Sequence, residues 1–181
     1  MPDNHKPPTR RIRLFLRDFR MIEANVSVAE GQSLTSYFSN RKSYVNLRGA
    51  HWAGAVDDVM HAVLRVDQIL WAAAPDGDIA LVNASGVAKH RLVELQLEGG
   101  LLMRGSFHMG EQQRLSDFLE ATGVFIPIHD AKLLRSGRPP KKVNVQLGGV
   151  VVNQAGIQAV WEAAAEEEGL APVSEVPSGL E

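Results

Sequence analysis

The chain has 181 residues, of which 45% are hydrophobic and 22% charged, with a formal net charge of −2 and no cysteine. That is enough apolar material to bury a core, and the length fits two small domains. The missing cysteines exclude disulfides, thiolate zinc sites, iron–sulfur clusters and cysteine nucleophiles.

No segment approaches the roughly 18 apolar residues that a transmembrane helix needs, and the first residues lack the apolar stretch of a signal peptide. No membrane insertion and a cytoplasmic location are therefore expected. Charge is uneven. Residues 1–50 hold nine Lys and Arg against four acids, whereas the last 21 residues hold six Glu and no cation.

In chain order, residues 1–9 are polar and proline-rich and read as a disordered arm. Ile12-Arg13-Leu14-Phe15-Leu16 alternates as a half-buried strand does, and Met21 to Val28 resumes as its partner after Arg17-Asp18-Phe19, a turn without glycine. Leu34, Tyr37 and Phe38 have the spacing of a short helix. Tyr44–Leu47 is a third strand, the alternation of Met60, Ala62, Leu64 and Val66 a fourth, and Ile69-Leu70-Trp71 a fifth or a continuation of it. Residues 75–89 then form a linker opened by a Pro-Asp-Gly turn, with a short strand at Ile79–Val82.

The plan then repeats at an offset of 81 residues. Ile12, Leu14 and Leu16 fall on Val93, Leu95 and Leu97. Leu34, Tyr37 and Phe38 fall on Leu115, Phe118 and Leu119. Tyr44, Val45 and Leu47 fall on Phe125, Ile126 and Ile128, and Leu64, Val66, Ile69 and Leu70 on Val145, Leu147, Val150 and Val151. Glu98-Gly99-Gly100 supplies a tight hairpin turn, and Pro127 favours an edge position or a bulge in its strand. Val150-Val151-Val152 is a fifth strand or the fourth continued around a bend at Gly148-Gly149. Ile157, Val160, Trp161 and Ala164 have helical spacing, which predicts a helix to about Gly169. Residues 171–181 read as a disordered acidic tail. The expected fold is mainly β with short helices. It comprises two tandem barrel-type repeats, 10–74 and 90–170, the second ending in that C-terminal helix.

The second repeat, with Val93 to Gly100, the internal glycine of Leu102-Met103-Arg104-Gly105-Ser106-Phe107, and Phe125 to Ala131, resembles the Sm-like and SH3-like small barrels. Arg114-Leu115-Ser116-Asp117 with Phe125-Ile126-Pro127-Ile128-His129-Asp130-Ala131 also resembles a bacterial domain family of unknown function with an RLSD…FI.L.DA signature. The resemblance implies five-stranded units. That family brings no established catalytic residues.

His51, Asp57, Asp58 and His61 have the residue types of a metal site, but the strand alternation sends Asp58 and His61 to opposite sides, so solvated loop groups are expected instead. Asp130 after His129 reads as a strand-ending turn cap. The chain has neither a nucleophile elbow nor a glycine-rich phosphate cradle, so no cofactor and no enzymatic role are expected. Cations for a phosphate backbone are Arg10, Arg11, Arg13, Arg17, Arg20, Arg41 and Lys42, with Arg135, Arg138, Lys141 and Lys142 in a second basic loop. Tyr37, Phe38 and Tyr44 lie near them, but the repeat assigns these rings to the core. Trp161 with Glu166, Glu167 and Glu168 marks an apolar stripe beside an acidic face that fits a partner. The leading expectation is a non-enzymatic protein-interaction or assembly module that binds a protein partner or forms a homo-oligomer. The alternative is RNA or single-stranded nucleic-acid binding through the basic residues.

Overall fold

The computed structural model describes residues 8–41, 43–74, 88–136, 139 and 141–164. The first half contains β1 (Thr9–Leu16), β2 (Met21–Ser27), α1 (Leu34–Ser39), β3 (Tyr44–Trp52), β4 (Val59–Arg65), a 3-10 turn at Val66–Gln68 and β5 (Ile69–Ala73). The second contains β6 (Ala88–Leu97), a 3-10 turn at Glu98–Gly100, β7 (Leu101–Gly110), α2 (Leu115–Ala121), β8 (Phe125–Ser136), β9 (Lys141–Asn153), a 3-10 turn at Gln154–Gly156 and β10 (Ile157–Glu162). The protein is mainly β, and the two short helices fall where the sequence places them.

The strands form one ten-stranded antiparallel sheet in the order β10-β6-β7-β8-β9-β5-β1-β2-β3-β4. Each half keeps its own five strands adjacent, and the halves meet where β5 pairs with β9, through Trp71↔Val152, Ala72↔Val151 and Ala73↔Val150. Because successive strand residues face opposite sides, the two strands of this seam feed two cores. Ala72 and Val151 enter the core of the first half, while Trp71, Ala73, Val150 and Val152 enter that of the second. Phe125 crosses into the first core, with its ring centroid 5.1 Å from that of Phe38. Phe15 crosses the other way and stacks on Trp71 at 5.3 Å.

The two β-hairpin turns β1–β2 and β6–β7 also touch. Phe19 holds a φ of 70°, a conformation that glycine takes in the equivalent turn at Gly99 and Gly100. Its ring occupies the space above Gly99, where an added Cβ would lie 1.6 Å from Cζ. Arg17 pairs with Glu98 across the same contact.

Three expectations need correction. The segment from Ile157 is strand β10 rather than a helix. It pairs with β6 from Ile157↔Leu97 to Glu162↔Val93, and a bulge between Ile157 and Ala159 resets the side-chain alternation, which gave the apolar positions their helical spacing. The gapless repeat fails after the third strand, because β8 and β9 run 12 and 13 residues where β3 and β4 run 9 and 7. Val150–Val152 consequently closes the fourth strand of its half, and Ile69 corresponds to Ile157. Asp130 lies inside β8, not at its end: its φ of 51° matches the 53° of Gly49 in β3, so the two halves carry the same backbone kink. Pro127 lies beyond Ser106↔His129, the last β7–β8 register pair, where β8 keeps only β9 as a register partner. Residues 1–7 of the expected arm, 75–87 of the expected linker with Ile79–Val82, and 165–181 lie outside the described residues; Thr9 already belongs to β1, and Ala88 and Lys89 to β6, so strand pairing reaches into the arm and the linker at those ends.

Trp71 belongs to the first half and is fully buried in the core of the second. Trp71→Ala should therefore destabilise the whole chain by about 3–5 kcal/mol, the usual cost of truncating a buried aromatic. Urea unfolding followed by circular dichroism checks this, with one transition moving to lower denaturant; two separated transitions would contradict the shared core.

Candidate functional site

The sheet has two edges, β4 and β10, which have one strand neighbour each, and one internal joint, where β5 of the first half pairs with β9 of the second. An edge strand presents unpaired N–H and C=O groups, ready to receive another strand. The helices differ in the same sense. Ser33 caps α1 by accepting from Ser36 N at 3.0 Å, and Leu34, Tyr37 and Phe38 are buried, Phe38 against Phe125 at the start of β8. Their counterparts Leu115, Phe118 and Leu119 on α2 are only partly buried. Between α2 and β10 lies an open groove lined by Leu115, Leu119, Ile157, Ala159 and Val160. Beside the filled seam, Asn153 donates from Nδ2 to Ile69 O at 3.0 Å and accepts from Ala155 N at 3.1 Å, fixing the two halves together.

The basic residues of the first half are mostly neutralised. Arg11 and Arg13 both reach Glu23, at 2.5 and 2.9 Å, and the hydrogen bonds from these two guanidinium groups hold the Glu23 carboxyl below the ordinary carboxylate range. Arg20 pairs with Asp18 at 2.5 Å and lowers that carboxyl likewise. Arg17 is taken by Glu98, Arg10 is engaged as well, and the guanidinium of Arg41 sits 4.8 Å above the Tyr37 ring. In the second basic region, Arg135 faces Lys142 and Ser136 faces Lys141 in the β8–β9 hairpin. Among the described residues none of these three cations forms an ion pair. Lys42, Arg138, Glu166, Glu167 and Glu168 lie outside the described residues. Trp161 is on β10, half exposed, with its indole N–H donated to Glu94 at 3.0 Å. Tyr37 and Phe38 are core, as the repeat implies. Tyr44 is not: it projects from β3 into solvent, although its counterpart Phe125 is buried.

The four residues considered for metal do not converge. His51 Nδ1 lies 2.8 Å from Asp58 Oδ1, while His61 stands opposite Arg48 across β3–β4. Among the described residues no three His, Asp or Glu are arranged to hold a metal ion. A different set of histidines comes together instead. His90, His108 and His129 lie side by side on β6, β7 and β8, with ring centroids 3.8 Å apart for the first pair and 4.0 Å for the second. The Gly99-Gly100 turn sets the register that puts His90 opposite His108, so that half of the cluster was within reach of the sequence. His129 joins through the β7–β8 bulges, which the sequence does not mark.

No helix among the described residues is long and apolar enough to cross a membrane. The chain matches no family model, no curated protein and no solved structure.

Burial lowers the pKa of both His108 and His129, and the neighbouring imidazoles push the same way while Asp130 opposes them. Because the folded values lie below the unfolded value of about 6.5, the unfolded chain binds protons that the folded chain refuses, and stability falls as pH drops below that point. The urea midpoint should decline from pH 7 to pH 5, and His129→Phe should flatten the decline. A midpoint in the parent chain that holds constant over this range would refute the assignment.

Proposed function

We propose that this chain is a non-enzymatic assembly module, built from two Sm-like or SH3-like small-barrel units that join through their sheet edges. The observation that carries the reading is the β5–β9 seam, where an edge strand of one half adds to an edge strand of the other and each contributes side chains to its neighbour's core. Strand addition of this kind derives affinity from main-chain hydrogen bonds and specificity from alternate side chains. The same device is repeated, unfilled, at β4 and β10. Support for the small-barrel units comes from the shared five-strand order of the halves and from the 3-10 turn that precedes the last strand of each. The Arg114-Leu115-Ser116-Asp117 motif of the bacterial domain family starts α2, with Arg114 at the N-cap and the apolar Leu115 bordering the open groove.

One observation favours nucleic acid as a second reading. Arg135, Lys141 and Lys142 are concentrated on the extended β8–β9 hairpin without acidic partners among the described residues, as a phosphate-binding surface requires.

Native mass spectrometry of protein purified from its host at low salt, then after a high-salt wash, separates the two. An apolar strand interface gives a protein assembly whose mass survives the wash. A monomer carrying polynucleotide that the wash removes would overturn the assembly reading in favour of the cationic hairpin.

A further inference from the structure

The two halves of this chain are already an example of how one unit docks on another, and the free edges can be compared with that joint residue by residue. In both halves the fifth strand meets the first with the same bulge: Ala73, Ala72 and Trp71 stand opposite Arg13, Leu14 and Phe15, as Trp161, Val160 and Ala159 stand opposite Glu94, Leu95 and Gln96. The fourth strands correspond just as directly. Arg65, Leu64 and Val63 stand opposite Tyr44, Val45 and Asn46, as Asn153, Val152 and Val151 stand opposite Phe125, Ile126 and Pro127.

Each residue that the seam buries has a free-edge counterpart that solvent reaches. Val151 is fully buried in the first core, whereas Val63 is 65% exposed. Phe125 is fully buried against Phe38, whereas Tyr44 is 57% exposed. Ala73 is 4% exposed and Trp161 39%. Phe125 and Val151 are buried because they sit in the neighbouring half's core, beside α1 and β5. The place that corresponds to their socket, between α2 and β10, is the groove lined by Leu115, Leu119, Ile157, Ala159 and Val160. The molecule thus carries an unused projection at one end of its sheet and an unused socket of matching kind at the other.

Resting on the assembly reading above, we infer that the occupant of each free edge is a second copy of this chain. The β4 edge of one copy adds to the β10 edge of the next, head to tail, with Leu64 opposite Ala159, Val63 opposite Val160, Ala62 opposite Trp161, and Tyr44 seated in the α2–β10 groove. Side-chain size is consistent with this register. Where the seam has Ala73 the free edge carries Trp161, and the residue facing that place shrinks from Val150 to Ala62; where the seam has Trp71 the free edge carries Ala159, and the facing residue grows from Val152 to Leu64. Arg65, also a donor, takes the place of Asn153, whose amide donates to the carbonyl of Ile69 at the start of the neighbouring fifth strand. Such a contact is heterologous, so its repetition closes into a ring or continues as a filament.

The absence of native cysteine makes the register directly readable. Val63→Cys and Val160→Cys chains are prepared separately, mixed and oxidised. The mixture should give a disulfide-linked dimer, and Val63→Cys mixed with Gln158→Cys, out of register, should give at least tenfold less. Tyr44→Asp, exposed in the single copy, should keep the parent circular dichroism spectrum and weaken association at least tenfold. If native mass spectrometry finds an assembly that the in-register cysteines do not cross-link, head-to-tail addition is wrong while an assembly module remains. If the purified chain stays monomeric at every concentration tested, the second copy is wrong, and the broader reading then stands or falls on the host-purified protein.

Discussion

Antiparallel pairing between β5 and β9 is the constraint on which the remainder depends. Three residue pairs are a short ladder, yet its side chains alternate between two cores, so the seam is held by apolar packing on both faces as well as by the backbone. Trp71, Phe15 and Leu70 lie in the second core, Phe125 and Val151 in the first. Separating the halves would therefore leave each with an exposed apolar surface and a vacated socket. Phe19 over Gly99, Arg17 with Glu98 and the buried Asn153 fasten the same joint at separate points.

The elements themselves were largely legible. Alternation at Ile12, Leu14 and Leu16, the helical spacing of Leu34, Tyr37 and Phe38, and the repeat of both patterns downstream follow from geometry that any half-buried strand or helix shares. Two features hid from that kind of reading. A bulge shifts the phase of alternation, and after the bulge in β10 the apolar residues Ile157, Val160 and Trp161 imitate a helix. A longer hairpin shifts the repeat, and the valine-rich stretch at Val150–Val152 resembles Ile69-Leu70-Trp71 closely enough to conceal the shift. Pairing partners, not composition, distinguish these cases.

The candidate site was less legible because it consists of differences between counterparts. A sequence marks Tyr44 and Phe125 as the same apolar position, which they are; that one is covered and the other open depends on which half has a neighbour. The basic residues misled in the opposite direction. Arg11, Arg13, Arg17 and Arg20 form a cationic cluster in one dimension, but Glu23, Glu98 and Asp18 meet them in three. Among the described residues, the hairpin cations Arg135, Lys141 and Lys142 form no ion pair and keep the cationic character read from the sequence.

If the seam is what makes two units one sheet, its backbone amides must open only when the whole molecule unfolds. Hydrogen exchange read by mass spectrometry on peptides covering Ile69–Ala73 and Val150–Asn153 measures this directly. Exchange there as slow as in the β1–β2 and β6–β7 pairs, with a free energy equal to that of global unfolding, is the predicted result. Fast exchange at the seam while both hairpins stay protected would mean that the halves are independent bodies, and the joint could not then serve as the pattern for assembly.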